Sequence, residues 1–97
     1  MEEREFPRPL PKNREAEQVV LGAALVEPEN VVPILLEQIR PEHFYWQAHQ
    51  VIYRTIMELF EKGKPPDLIT IADRLEELGK LPAIGGRVYL SELAGRV

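Results

Sequence analysis

The sequence predicts an all-α fold, a compact bundle of about five or six helices gathered round a central helix at 45–62. Three observations predict it. The stretch YWQAHQVIYRTIMELFEK repeats apolar residues at i, i+3, i+4 and i+7 without a Gly or Pro until Gly63. Glycines and prolines cut the remaining chain into helix-sized pieces, several of them opened by capping residues. The connections between those pieces are short, as neighbouring helices in a bundle require.

Taken in order, residues 1–12 place Pro7, Pro9 and Pro11 on alternate positions, which predicts an extended arm rather than a helix or central strand. The helical domain is expected over 13–97. Asn13 is a good N-cap, and Glu15 and Glu17 lie in the first turn, where carboxylates suit the helix dipole. That helix is expected to end near Val26, with Ala16, Val19, Val20, Ala23 and Ala24 buried, and Leu21 and Leu25 widening its apolar surface. Pro28 is expected to break the chain. Asn30 then caps a shorter helix with Pro33 in its first turn and Ile34, Leu35 and Ile39 inward, ended by Pro41. The turn PEHF delivers Phe44 to the base of the central helix.

Within the central helix, Tyr45, Ala48, His49, Ile52, Tyr53, Ile56, Leu59 and Phe60 share one face. Its apolar arc is wider than a coiled-coil seam, so several neighbours must cover it. After Gly63, Leu68 and Ile69 are expected to be extended under the core. Thr70 caps a fourth helix, with Asp73 three residues on, an Ile71, Leu75, Leu78 stripe and Gly79 as terminator. Leu81 to Ile84 form one short turn. Gly85 and Gly86 open a last helix bearing Tyr89, Leu90, Leu93 and Ala94.

Composition narrows the function. At 44% hydrophobic and 29% charged, the 97 residues suit one globular domain. The absence of Cys excludes disulfides, thiolate metal sites and a cysteine nucleophile. No apolar run is long enough to cross a membrane and the N-terminus is unlike a signal peptide, so the expected location is cytoplasmic. A net charge of −4, with basic residues scattered singly, disfavours direct DNA binding, since phosphate contact needs concentrated Lys and Arg. A helical nucleic-acid-binding domain is the alternative class.

No constellation for catalysis emerges. His49 has only Tyr45, Trp46, Ile52 and Tyr53 one turn away, so the expectation is a buried imidazole bonded to a backbone carbonyl or a Tyr. A hydrolytic role would require it to be accessible. His43 and His49 lack the spacing of a zinc helix. Glu76 and Glu77 diverge on a helix and form a solvated face. Ser91 is the chain's one serine, and it has no triad. The glycines at 79–86 lack the Lys-Ser or Lys-Thr of a phosphate loop. Tyr89, amphipathic and early in the last helix, and Glu15, early in the first, are the partner-binding candidates. No catalytic, cofactor or metal residue is assigned.

Several pieces then resemble one family in order and spacing: E-A-E-Q-x-V-L-G at 15–22, F-Y at 44–45, A-H-Q at 48–50, P-x-D-L-I-T at 65–70 and I-G-G-x-x-Y-L-S-E-L at 84–93. Over residues 7 to 97 the chain resembles the N-terminal domain of the DnaB replicative helicases. The resemblance implies a non-catalytic head ahead of a helical hairpin, a linker and a RecA-like ATPase domain that holds ATP and magnesium. It implies a hexameric ring moving 5′→3′ on single-stranded DNA, with the N-terminal domains forming a collar that recruits DnaG-type primase; a helicase loader is a further partner. Glu15 and Tyr89 match primase-contact positions of that family in residue type. The hairpin positions that complete the primase surface and the dimer contact are absent from these residues. The piece alone is therefore expected to be monomeric and to bind primase weakly or not at all.

Overall fold

The central helix touches almost everything else in the molecule. In the computed structural model, which describes residues 13–96, the elements are α1 (Arg14–Val26), α2 (Pro28–Gln38), a 3-10 turn (Pro41–His43), α3 (Gln47–Glu61), α4 (Leu68–Glu77), a second 3-10 turn (Pro82–Ile84) and α5 (Gly86–Ala94). Among the described residues there is no strand, as the all-α expectation requires. The arm expected at 1–12 lies outside the described residues. α3 lies against α1, α2, α4 and both 3-10 turns, while α1 runs along α5. The core they enclose is built from Leu21, Val32, Phe44, Ile52, Tyr53, Ile56, Ile71, Leu75, Leu90 and Leu93, all buried.

α3 is shorter than its periodic pattern. Trp46 is its N-cap and Tyr45 precedes it, exposed rather than on the core face. The Tyr45 N–H donates to the Glu17 carboxylate at 2.7 Å, a bond that holds the chain outside the helix. At the other end the expectation holds. Gly63 takes φ +74, and the Lys64 N–H donates back to the Leu59 carbonyl at 2.9 Å, closing the last turn. Inside the helix the Tyr53 hydroxyl donates to the Ile39 carbonyl at 2.8 Å, stitching α3 to the end of α2. Burial pushes that phenol up to about 12, so it remains a donor at neutral pH.

Three local expectations are corrected. On α1 the Asn13 side chain accepts from the Ala16 N–H as expected, but the buried face is Glu17, Gln18, Leu21, Gly22, Ala24 and Leu25. Val19 is exposed. The long leucines set the rotation, because burying Leu21 and Leu25 removes more apolar surface than burying the Ala and Val stripe.

On α2, Pro28 starts the helix instead of breaking the chain, since its fixed φ suits the first helical position and its missing N–H has no partner there anyway. Asn30 therefore lies within the helix, and Pro33 lies past its first turn. Both Pro33 and Glu29 are exposed, so water can reach the carbonyl that Pro33 leaves without a donor. Val32 is the fully buried residue, and Ile34 is exposed.

α4 begins three residues earlier than expected, and its N-cap is Asp67, not Thr70. The Asp67 side chain accepts from the Thr70 N–H at 2.9 Å. Leu68 and Ile69 are thus helical rather than extended, Ile69 is exposed, and Leu78 has moved out to the C-cap. Both sequences, Asp67-to-Thr70 and Thr70-to-Asp73, satisfy capping spacing. The earlier cap lets Pro66 be buried and gives Ile71, Ala72 and Leu75 to the core. Asp67→Ala is expected to cost about 1 kcal/mol in urea unfolding, and Thr70→Ala clearly less. The reverse order would return the cap to Thr70.

Candidate partner-binding site

The polar residues that matter most are the buried ones. Glu17 on α1 is fully buried and His49 on α3 is 1% exposed. The His49 Nδ1 lies 2.7 Å from Glu17 Oε1, and its Nε2 lies 2.5 Å from the Tyr89 hydroxyl on α5. The Gln18 amide, one residue after Glu17, donates to the same hydroxyl at 3.1 Å. Glu17 Oε2 takes the Tyr45 N–H. One arrangement gives each of these bonds a donor and an acceptor. Gln18 donates to the Tyr89 oxygen, Tyr89 O–H to Nε2, and Nδ1–H to Glu17, whose two oxygens then accept as a carboxylate.

The His49 and Tyr89 rings are near-coplanar, 6° apart, with centroids at 5.9 Å. With the hydroxyl so close to Nε2 they cannot be stacked face to face. The hydroxyl instead approaches in the imidazole plane, where the nitrogen lone pair lies. Phe44 meets the His49 ring edge-on at 6.4 Å, and the Gln50 amide donates to the Phe44 carbonyl at 2.8 Å. Four of the five matched pieces of sequence therefore have a physical reason to occur together, because they meet at this one network.

The expectation that His49 bonds a Tyr is met; its carboxylate partner was missed. A search one turn up and down the same helix cannot find Glu17, which comes from another helix. A signal existed in the i, i+4 pair Glu17 and Leu21, since placing Leu21 inward carries Glu17 inward too.

Gly85 makes Tyr89's position possible. Its φ is +104, and a Cβ there would come within 2.8 Å of the Tyr89 Cβ. Only glycine has both the backbone freedom and the missing atom. The rest of the Tyr89 ring borders an open hollow of about 290 Å³ shared with Arg14, Trp46, Ala48, Pro82 and Ile84.

Of the two partner-binding candidates, Tyr89 is half-buried with its hydroxyl turned inward, so only part of its ring faces outward. Glu15 is exposed and 3.7 Å from Arg96, a pair that exposure makes weak. The structure brings both to the same edge. Glu15 lies one turn before Gln18, which touches Tyr89, and directly after Arg14, which shares the hollow.

The other candidates resolve locally. The Arg40 N–H donates to His43 Nδ1 at 3.0 Å, closing the first 3-10 turn. Glu76 pairs with Arg87 and Glu77 with Arg74, so the adjacent carboxylates are held apart by different cations. Among the described residues no three His, Asp or Glu side chains group as metal ligands, and no helix is long and apolar enough to cross a membrane. The glycines at 79–86 do not fit a nucleotide. The Gly85 and Gly86 N–H groups, which a phosphate would need, already donate to Pro82 and Leu81.

A surface network joins α3 to α4. Arg74 donates to both Glu58 oxygens, at 3.2 and 2.7 Å, and Lys62 adds a bond at 3.0 Å. These hydrogen bonds, Arg74's first, hold the Glu58 carboxyl down at about 2 against an ordinary 4.5. Because the folded value is depressed, this contribution to stability is present above pH 4.5 and lost as pH falls towards 2. A carboxyl NMR titration is expected to move Glu58 back towards 4.5 in Arg74→Ala. An unmoved midpoint refutes the assignment.

Fold and site together define a small helical interaction module in which a buried carboxylate and imidazole are bonded to a half-buried phenol. The chain belongs to the family of DnaB-like helicase N-terminal domains, whose family model matches residues 9–97. It is 47% identical over 87 residues to the replicative DNA helicase DnaB of Rhodothermus marinus, covering 90% of this chain and 9% of that protein. Against the DnaB of Geobacillus stearothermophilus it is 44% identical, covering 90% and 19%. The crystal structure of the N-terminal domain of DnaB helicase from Mycobacterium tuberculosis superposes with a TM-score of 0.85 at 40% identity, covering 90% of this chain and 60% of that one. The chain thus spans less than a fifth of either of those two helicases.

Proposed function

We propose that this chain is the non-catalytic collar head of a cytoplasmic, hexameric replicative helicase, and that its α1/α5 edge helps recruit DnaG-type primase. ATP, magnesium and DNA translocation belong, on this reading, to an ATPase domain elsewhere in the parent protein. Glu15 and the outward part of the Tyr89 ring are the contacts on this piece, and a helicase loader is a further partner. The observation that carries the reading is the direction of the polar network. Glu17 and His49 are spent on internal bonds, which leaves Arg14, Trp46 and Tyr89 at the hollow, and exposed Glu15 next to Arg14, for a partner.

The test is a titration of the full-length helicase with the C-terminal region of its primase. Binding that weakens in Glu15→Ala is expected. Absence of binding at high micromolar concentration overturns the primase reading. Single-stranded DNA binding by this chain, falling steeply between two salt concentrations, would favour nucleic-acid binding instead.

A further inference from the structure

We propose that Glu17, Gln18 and His49 are positioning residues for Tyr89, fixing its ring as one wall of the hollow that a partner meets. None of the three is free to touch a partner effectively. Glu17 is 0%, His49 1% and Gln18 8% exposed. Their hydrogen bonds nevertheless converge, through His49 and Gln18, on one atom, the Tyr89 hydroxyl. The ring it belongs to is the half-buried member of the set, and it lines the hollow beside the all but covered edge of His49.

Directional bonds explain why this position is polar at all. Apolar packing would bury the same volume at less desolvation cost but would let the ring slide and tilt. Two bonds to one hydroxyl, one in the imidazole plane, hold the ring along a single line. Glu17 fixes the imidazole in turn, and the Tyr45 N–H fixes the Glu17 carboxylate. Gly85 gives the Tyr89 Cβ its close seat but does not orient the hydroxyl end. Through this chain the α1, α3 and α5 elements are tied at the edge where Glu15 and Arg14 also lie.

For partner affinity the inference rests on the primase reading above. If a broken link leaves the ring correctly placed about one fifth of the time, the apparent Kd rises about fivefold. Glu17→Gln keeps size but sets an amide donor against the Tyr45 N–H or the imidazole N–H. Gln18→Met keeps length and removes the amide. Tyr53→Phe is the control, because it deletes a buried hydroxyl bond to the Ile39 carbonyl one turn along the same face of α3, a bond that has no part in holding Tyr89.

The experiment measures three things: the affinity of the full-length helicase for the primase C-terminal region, the thermal midpoint, and the Tyr89 ring signals by NMR of this chain. Expected are a rise in Kd of about fivefold and altered Tyr89 signals in Glu17→Gln and Gln18→Met, with Tyr53→Phe within about twofold despite a comparable fall in midpoint. Equal binding by all variants overturns the proposal, and so does equal weakening by Tyr53→Phe, which would make the effect general destabilisation. If the wild type does not bind, the primase reading fails instead. The Tyr89 signals then decide positioning alone, and unchanged signals in both variants overturn it.

Discussion

Glu17→Ala is expected to destabilise the domain by about 3 kcal/mol, a large share of the roughly 5–15 kcal/mol that holds a domain of this size together. Two donors lose their acceptor at once, the Tyr45 N–H and the His49 Nδ1–H, and neither can reach water easily where Glu17 is fully buried. The vacated volume adds a cavity term. Glu15→Ala, two positions away but exposed, is expected to change stability by less than about 0.5 kcal/mol. Urea unfolding of the pair measures both. A loss below about 1 kcal/mol in Glu17→Ala would mean that the network contributes little to folding. In a double-mutant cycle, Glu17→Ala and His49→Ala should be far from additive, because each removes the same bond.

Gly85→Ala is expected to be the most damaging single methyl in the chain, at about 2–3 kcal/mol. Its φ of +104 is unfavourable for any residue with a Cβ, and the added atom would be 2.8 Å from the Tyr89 Cβ. Either α5 moves or Tyr89 does, and a moved Tyr89 breaks its bonds to His49 and Gln18. Gly86→Ala provides the comparison. Its φ is +76, yet an added Cβ meets nothing within 4 Å, so only the backbone strain of about 1 kcal/mol remains. Thermal melts of the two variants separate strain from collision, and similar midpoints would show that Tyr89 gives way freely.

Legibility followed the range of the forces involved. The central helix, the Asn13 cap, the Gly63 and Gly79 endings and the Gly85 start of α5 were all readable, because each depends on residues within one turn. The misplaced cap on α4 shows the limit even there. Asp67 and Thr70 both have the right spacing, and the choice went to the one that buries Pro66 and Ala72. The face of α1 was misread for the same kind of reason. Its Ala and Val stripe looks more apolar than a stripe containing Glu17 and Gln18, until those two are given partners from elsewhere.

The sequence by itself determined the helical class, the centrality of α3 and the family, since periodicity, breakers and motif spacing are written along the chain. What only the tertiary structure decided is why the motifs belong together. Glu17 meets His49 across 32 residues, His49 meets Tyr89 across 40, and Gln18 meets Tyr89 across 71. A buried carboxylate is costly alone and stable when every lone pair is met, and whether it is met depends on how distant helices pack. That is a property of the packed helices, and no local pattern carries it.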